Sequence, residues 1–385
     1  WRHEKHKRVR LPPDEYKLKY NELVEVPQQT NEKLNIQDEW DTQHICKQIV
    51  ECGGKCLIRA RFPGSGKSYI GEYFQKLGYN VLFVVPTNRL LQEKEVKATT
   101  YNKFFSIAVQ ADAGEKLQVF DYSGYDIVVF DEIYTSNLYV LNKVRLFMQN
   151  NPDKMVVAAG DVKQLQGVEV MTNCQNPATY IENCLNTLFK YNILLTICKR
   201  VGAKDSEEGD KNREIITDMY EDFWTKDLPI EEIIAKYFET TDDIMASEHN
   251  IAYTNIRCRN VANGIRGRLN KQDKYEVGEI LIARKWIEHP RVNVNIRYRI
   301  TKIEKGESGL QITLQNIAVK KDTFMLYERV VDASFIYSYC ATCHSSQGAS
   351  VNGSITIHEY NLPMASREWA WCAITRCVDF RKVRF

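Results

Sequence analysis

Residues 59–69 read RARFPGSGKSY. Gly66, Lys67 and Ser68 supply the second half of G-x-x-x-x-G-K-[ST], a loop whose backbone N–H groups cradle phosphates. The first half departs from the pattern, because Arg61 stands where its first glycine belongs. That position lies at the mouth of the loop, less crowded than Gly66, and a side chain there is tolerated if the backbone angles are ordinary. The flanks decide the reading. KCLIRA (55–60) reads as a buried strand and KSYIGEYFQKLG (67–78) as the helix after it, which is the strand–loop–helix setting a phosphate loop requires. In that setting Pro63, Gly64, Ser65 and Gly66 let N–H groups converge on phosphate oxygens at a helix N-terminus. Lys67 reaches the β- and γ-phosphates of ATP, and the Ser68 hydroxyl binds Mg²⁺.

Working outward, NVLFVVPT (80–87), YDIVVFDE (125–132) and KMVVAAGD (154–161) share one form: an apolar run that stops at a polar or acidic residue. Continuous apolar runs of this length belong to central parallel strands. Strands alternating with helices predict a doubly wound α/β fold, with ligands at the carboxyl ends of the strands. Asp131 and Glu132 end the second of these runs. An Asp there can hold the metal through water, and the adjacent Glu can polarise the attacking water. Two acidic residues alone could cap a helix, but a cap does not explain their pairing with a preceding lysine loop. EWDTQHICKQIVECGG (39–54) spaces Trp40, His44, Ile45, Ile49 and Val50 along one helical face before the loop strand.

Beyond about residue 190, AKDSEEGDKNRE (203–214) reads as a charged loop, and HNIAYTN (249–255) restarts the alternation. Residues 275–335 change texture into short β-type segments with glycine-containing turns, a small antiparallel barrel or sheet inserted in a second α/β unit. SFIYSYCAT (334–342) and GSITIHEY (353–360) resume buried strands, and MASREWAWCAITR (364–376) ends as a helix.

Composition narrows the class. The chain has 385 residues, 44% hydrophobic and 26% charged, enough for two or three domains of an ordinary globular protein. No apolar run approaches the roughly 20 residues of a membrane span. The opening WRHEKHKRVRLPPDEY is polar and basic, without the apolar core of a signal peptide, and both ends read as cut from a longer protein. Eleven scattered cysteines fit a reducing cytoplasmic or nuclear setting rather than a secreted disulfide framework. CATCH (340–344) matches a haem-attachment spacing, which needs an exported context that nothing here advertises. A net charge of +2 says little about partners.

Taken in order, these segments resemble superfamily 1 helicases from about residue 40 to the end. VVPTNRLLQE (84–93), with Pro86, Thr87 and Asn88, resembles the family's DNA-contacting segment, and TTYNKFF (99–105), with Thr99 and Thr100, the next single-strand contact. GDVKQLQGVE (160–169) is similar to the motif whose Gly160, Asp161 and Gln164 couple phosphate state to the DNA groove. LLTICKR (194–200) places Arg200 where the family keeps an arginine that reaches the γ-phosphate. AYTNIRCRNVAN (252–263), with Asn255, resembles the opening of the second motor domain. TCHSSQGAS (342–350) matches a fifth motif through Thr342, His344, Ser346, Gln347 and Gly348, and AITR (373–376) gives Arg376 the position of a second arginine finger. Gln43 lies at about the right distance to read adenine, with Gln37 and Gln48 as competitors.

The resemblance implies two RecA-like parallel-sheet motor domains: 39–190, with a short accessory insertion near 105–122, then 191–274 together with 336–385. Residues 275–335 form a small inserted β domain and 1–38 a leader or linker. It implies an ATP- and Mg²⁺-dependent helicase acting on single-stranded DNA, with RNA left open, and on forked duplex, in replication and with other replication proteins or further domains as partners. Leu165 after Gln164, and an insertion that reads as a small β-barrel rather than a large helical domain, resemble the 5′→3′ (RecD/Dda-like) branch. Two other readings stay open: a translocase or remodeller that does not unwind, and a catalytically weak nucleic-acid-binding module spoiled by Arg61.

Overall fold

A computed structural model describes residues 31–92, 94–107, 120–161, 163–165, 177–285, 287, 289, 291–307, 309–319, 321–346 and 350–385. Seven strands make the first sheet: β1 (Glu32–Lys33), β2 (Lys55–Ala60), β3 (Val81–Val85), β4 (Ala98–Thr100), β5 (Ile127–Phe130), β6 (Met155–Gly160) and β7 (Tyr191–Leu195). All pair in parallel, in the order β1-β7-β2-β6-β5-β3-β4. The apolar runs are continuous because both faces are covered. Leu57, Leu82, Val84, Val128, Phe130 and Val156 face one layer with Phe104, Phe147 and Ile181. Ile58, Phe83, Val85, Val129 and Val157 face the other, against Ile45, Ile49, Ile70 and Phe74. The sheet reaches past the expected boundaries at both ends. Glu32–Lys33, read as leader, is its edge strand, and β7 lies beyond residue 190 yet pairs with β2.

β8 (His249–Ala252) opens a second sheet. The chain then leaves it to build β9 (Ile280–Ala283), β10 (Arg297–Gly306), β11 (Gly309–Asn316), β12 (Thr323–Tyr327) and β13 (Phe335–Tyr337). These five are antiparallel in the order β12-β11-β10-β9-β13, so the insertion is an open sheet with β12 and β13 at its edges. It has a core of its own around Leu281, Tyr298, Ile300, Ile312, Leu314 and Phe335. β14 (Cys340–Thr342), β15 (Ile355–Ile357) and β16 (Val383–Arg384) return to complete a parallel sheet in the order β14-β8-β15-β16. Among the described residues no helix is long and apolar enough to cross a membrane.

The charged segment 203–214 is a correction to the loop expected there. From Glu207 it is the first part of an 18-residue helix, Glu207–Trp224. The Ser206 side chain accepts from Gly209 N–H at the N-cap, and Glu207, Glu208 and Asp210 sit in the first turn, where the helix dipole favours anions. Its polar first turns mask an apolar face further on: Ile216, Met219 and Phe223 pack with Trp369 and Trp371 of the C-terminal helix Arg367–Ile374. Phe62 and Leu165, from beside the first sheet, enter the same cluster.

The helix Glu207–Trp224 also buries Asp222 completely. Its carboxylate takes Lys226 at 2.7 Å, Lys236 at 2.6 Å and the Tyr237 hydroxyl at 2.7 Å. Burial alone would raise the carboxyl; the three donors outweigh it and hold Asp222 well below the usual carboxylate range. A depressed folded-state pKa contributes stability that is present above the unfolded value and lost as pH falls through the folded one. Asp222→Asn is therefore expected to cost about 2 kcal/mol at pH 7, measured by urea denaturation, and the gap to wild type should narrow as pH falls below about 4. A pH-independent gap would mean the carboxylate charge contributes nothing there.

Candidate active site

Arg61 follows β2 with its N–H donating to Leu195 O at 2.8 Å, and its φ is not positive, so the missing glycine imposes no strain. Its guanidinium pairs with Glu221, lies 4.5 Å from the centre of the Tyr220 ring and turns toward the helix Glu207–Trp224. The two glycines that remain are needed. Gly64 has φ +76° and Gly66 φ +91°, the left-handed region that glycine alone enters freely. Gly64 O accepts from Lys199 N at 2.9 Å and Arg200 N at 3.0 Å, and a Cβ on Gly64 would lie 2.4 Å from Arg200 Cβ. The helix Lys67–Lys76 begins at Gly66. Ser65 is fully buried, and its hydroxyl has no hydrogen-bond partner among the described residues, so the loop presents a polar group without a mate.

Opposite the loop, Asp131 follows β5 and is 2% exposed. Its Oδ2 accepts from Ser68 Oγ at 2.8 Å and pairs with Lys94 Nζ at 2.8 Å. Glu132 holds φ +51°, unusual for a side-chain-bearing residue. Desolvation raises its carboxyl, opposed by Lys67 and reinforced by Asp131. Asp161, after β6, is likewise raised by burial against Lys67.

From Asp161 a buried chain of hydrogen bonds crosses to Arg376, just beyond the C-terminal helix. Gln164 Nε2 donates to Asp161 Oδ2 at 3.1 Å, and Arg376 Nη2 donates to Gln164 Oε1 at 3.3 Å. Arg376 Nε donates to Cys372 O at 3.0 Å. Beside it Arg200 Nη1 donates to Thr375 O at 2.9 Å, and burial together with the Arg376 charge pushes the Arg200 guanidinium down to about 10.

One cavity of about 280 Å³ collects these groups: Gly64, Ser65, Gly66, Lys67 and Ser68 from the loop; Asp131, Glu132, Gln164 and Arg200; and Arg376 from beyond the C-terminal helix. Of the other residues expected there, Pro63 is buried with its carbonyl taking the Cys198 thiol, Gln43 is exposed on the helix Thr42–Glu51 outside the cavity lining, and Gly348 lies outside the described residues. Tyr69, Leu90 and Lys94 also line the cavity, none of them among the residues expected there.

A second, smaller cavity of about 60 Å³ adjoins through Glu132 and Leu90. It joins Pro86 and Thr87 to His344 and Ser345, with Asn295 from the insertion, so segments of both parallel sheets and the β insertion meet there. Arg89, inside VVPTNRLLQE (84–93) but not among the contacts expected from it, bridges it by donating to Ser345 O at 2.6 Å. The remaining expected contacts lie outside the lining of this cavity. Asn88 begins the helix Asn88–Gln92. Thr99 and Thr100 are buried, with Thr100 capping the helix Tyr101–Phe104. Thr342 and Ser346 are buried in one turn, the Ser346 hydroxyl donating to Thr342 O, and Asn255 is exposed and accepts from Arg284.

No family model matches the chain, and no curated protein matches it by sequence. Solved structures match across most of it. Bacteroides Pif1 bound to ssDNA is 14% identical with a TM-score of 0.58, covering 91% of this chain and 92% of that one. A Bacteroides Pif1 helicase in complex with ADP-AlF3 and ssDNA is 14% identical with a TM-score of 0.60 at the same coverage. A structure described for DNA unwinding at forked dsDNA by two coordinating Pif1 helicases is 15% identical, again with a TM-score of 0.60 and that coverage. The fold of this chain is therefore similar to that of these Pif1 structures.

The close approach of Gly64 to Arg200 is testable. Gly64→Ala should destabilise by at least about 1 kcal/mol from the left-handed backbone alone, with the Arg200 contact adding to that. Gly78, at φ +92° with nothing within 4 Å of where a Cβ would stand, isolates the backbone contribution. Melting temperatures of the two alanine variants should differ by roughly 2 °C or more; equal values would remove the Arg200 contact from the account.

Proposed function

We propose that this chain is an ATP-dependent helicase of superfamily 1 that moves 5′→3′ along single-stranded nucleic acid, DNA before RNA. The observation that carries the reading is the buried bridge Asp161–Gln164–Arg376, which brings an arginine from just beyond the C-terminal helix into the cavity of the Lys67 loop. A site divided in this way hydrolyses nucleotide only when its two halves are together, and that dependence turns chemistry into movement.

The roles follow from position. The unpartnered Ser65 hydroxyl and the loop N–H groups suit phosphate oxygens, and Lys67 takes the β- and γ-phosphates. The Ser68 hydroxyl and Asp131 carboxylate are a pair of hard oxygen donors that fit Mg²⁺, which when bound neutralises phosphate charge. Glu132, with a raised carboxyl beside this pair, accepts the proton of the attacking water. Arg200 and Arg376 stabilise charge that develops on the transferred phosphoryl group. Arg61 points to Glu221, away from this chemistry, which favours a working loop over a binding module. The adjoining cavity at Pro86, Thr87, Arg89 and His344 supports a strand-contacting path next to Glu132. Replication of DNA in a reducing compartment is the setting we assign.

The reading is tested by ATP hydrolysis with and without single-stranded DNA. Stimulation by DNA is expected, and Lys67→Ala should lose at least about tenfold in turnover by removing phosphate charge stabilisation. Glu132→Gln should still bind nucleotide while turnover falls by roughly 10²-fold or more. If Glu132→Gln loses nucleotide binding instead, the proton-accepting role is wrong.

Direction is tested on tailed duplexes. A duplex with only a 5′ single-stranded tail should be opened and one with only a 3′ tail should not. Translocation along the tail without strand separation would favour the remodelling alternative.

A further inference from the structure

Lys94 lies just after the helix Asn88–Gln92, with a side chain only 6% exposed. Its ammonium stands 2.8 Å from Asp131 Oδ2, the same oxygen that accepts the Ser68 hydroxyl at 2.8 Å. It sits 4.4 Å from the centre of the Phe83 ring and 3.8 Å from Glu72 Oε1. Lys94 thus supplies positive charge at the oxygen pair that suits a divalent cation. Mg²⁺ needs its oxygens at about 2.0–2.1 Å in near-octahedral array, and a +2 ion on Asp131 repels an ammonium held against the same oxygen. Both cannot keep that position.

We propose that Lys94 is the resident counter-cation of the nucleotide-free site: it holds Asp131 until a divalent cation arrives with nucleotide, then moves to Glu72. The inference rests on the nucleotide reading above and adds a residue to it. Without Lys94, a buried Asp131 carboxylate would face Glu132 with less compensation, and buried charge without a partner is costly. With Lys94 in place, a divalent cation binds only the fraction of molecules whose lysine has left, so its apparent affinity is reduced by that fraction. Nucleotide phosphates supply further ligands and offset the displacement, so loading of the metal becomes conditional on nucleotide. Glu72 lies close enough to receive the ammonium without returning it to water.

The test is equilibrium binding of a fluorescent ADP across a Mg²⁺ titration, for wild type, Lys94→Met and Glu72→Gln. Lys94→Met is expected to lower the half-saturating Mg²⁺ by roughly fivefold or more while leaving nucleotide binding in EDTA no weaker. Glu72→Gln, which removes the receiving carboxylate, should raise it. An unchanged or higher Mg²⁺ requirement in Lys94→Met overturns the proposal, the higher value marking Lys94 as a phosphate ligand. Melting in EDTA without nucleotide gives a second arm: Lys94→Met should lower the melting temperature in wild type and much less in an Asp131→Asn background. Equal losses in both backgrounds overturn the resting contact. A wild-type protein that binds no nucleotide overturns the functional reading and this one together. Normal binding with an unshifted Mg²⁺ requirement overturns only the role of Lys94.

Discussion

A guanidinium that is 1% exposed must have every charge and donor answered, and Arg376 is in that position. Its partners come from both sides of the cleft: Cys372 O in the helix that precedes it, and Gln164 beyond β6 of the first sheet. Gln164 in turn is held by Asp161, whose carboxyl is pushed up by burial. Separating the two sides would break the buried bond between Arg376 and Gln164. The interaction therefore favours apposition, and in doing so it places positive charge across the cavity from Lys67. Arg200 repeats the arrangement at the rim, its backbone bound to Gly64 and its side chain to Thr375.

The apolar packing runs the same way. Phe62, next to the phosphate loop, and Leu165, next to Gln164, belong to the cluster built on Trp369, Trp371 and Phe223. Burying such side chains is worth on the order of 1.5–3 kcal/mol each relative to exposure, far more than the half-exposed Arg61–Glu221 pair beside them. Arg61 is best understood as part of this contact. The position that usually asks for glycine has ordinary backbone angles here, and its side chain covers the Tyr220 ring.

The fold was largely legible because its strands are buried on both faces, which leaves continuous apolar runs such as VLFVV (81–85) and IVVF (127–130) in the sequence. Polar residues at their ends then mark the edge of the sheet where ligands gather. The helix Glu207–Trp224 was not legible at its start, since Ser206 and the acids after it serve as a cap and read locally like a loop. Strand β7 was missed for a related reason: YNILL (191–195) is short, and it runs straight into the segment that carries Arg200. Thr99 and Thr100, taken from a motif as strand contacts, lie buried in β4, and Thr100 also caps the helix Tyr101–Phe104.

What the sequence determined by itself was local: the loop with Lys67 and Ser68, the acidic pair Asp131–Glu132, and the alternation that orders the strands. Each of these is a short-range pattern, set by backbone freedom, apolar periodicity or the spacing of two side chains. Which of the distant residues meet was decided only by tertiary structure. Arg376 reaches Gln164 across 212 positions and Arg89 reaches Ser345 across 256. Lys94 carries no motif at all, and it becomes part of the site because the crossing from β3 to β4 brings it over Phe83 and against Asp131. A charge acquires a role of that kind from the field and burial of its surroundings, and those exist only once the chain has folded.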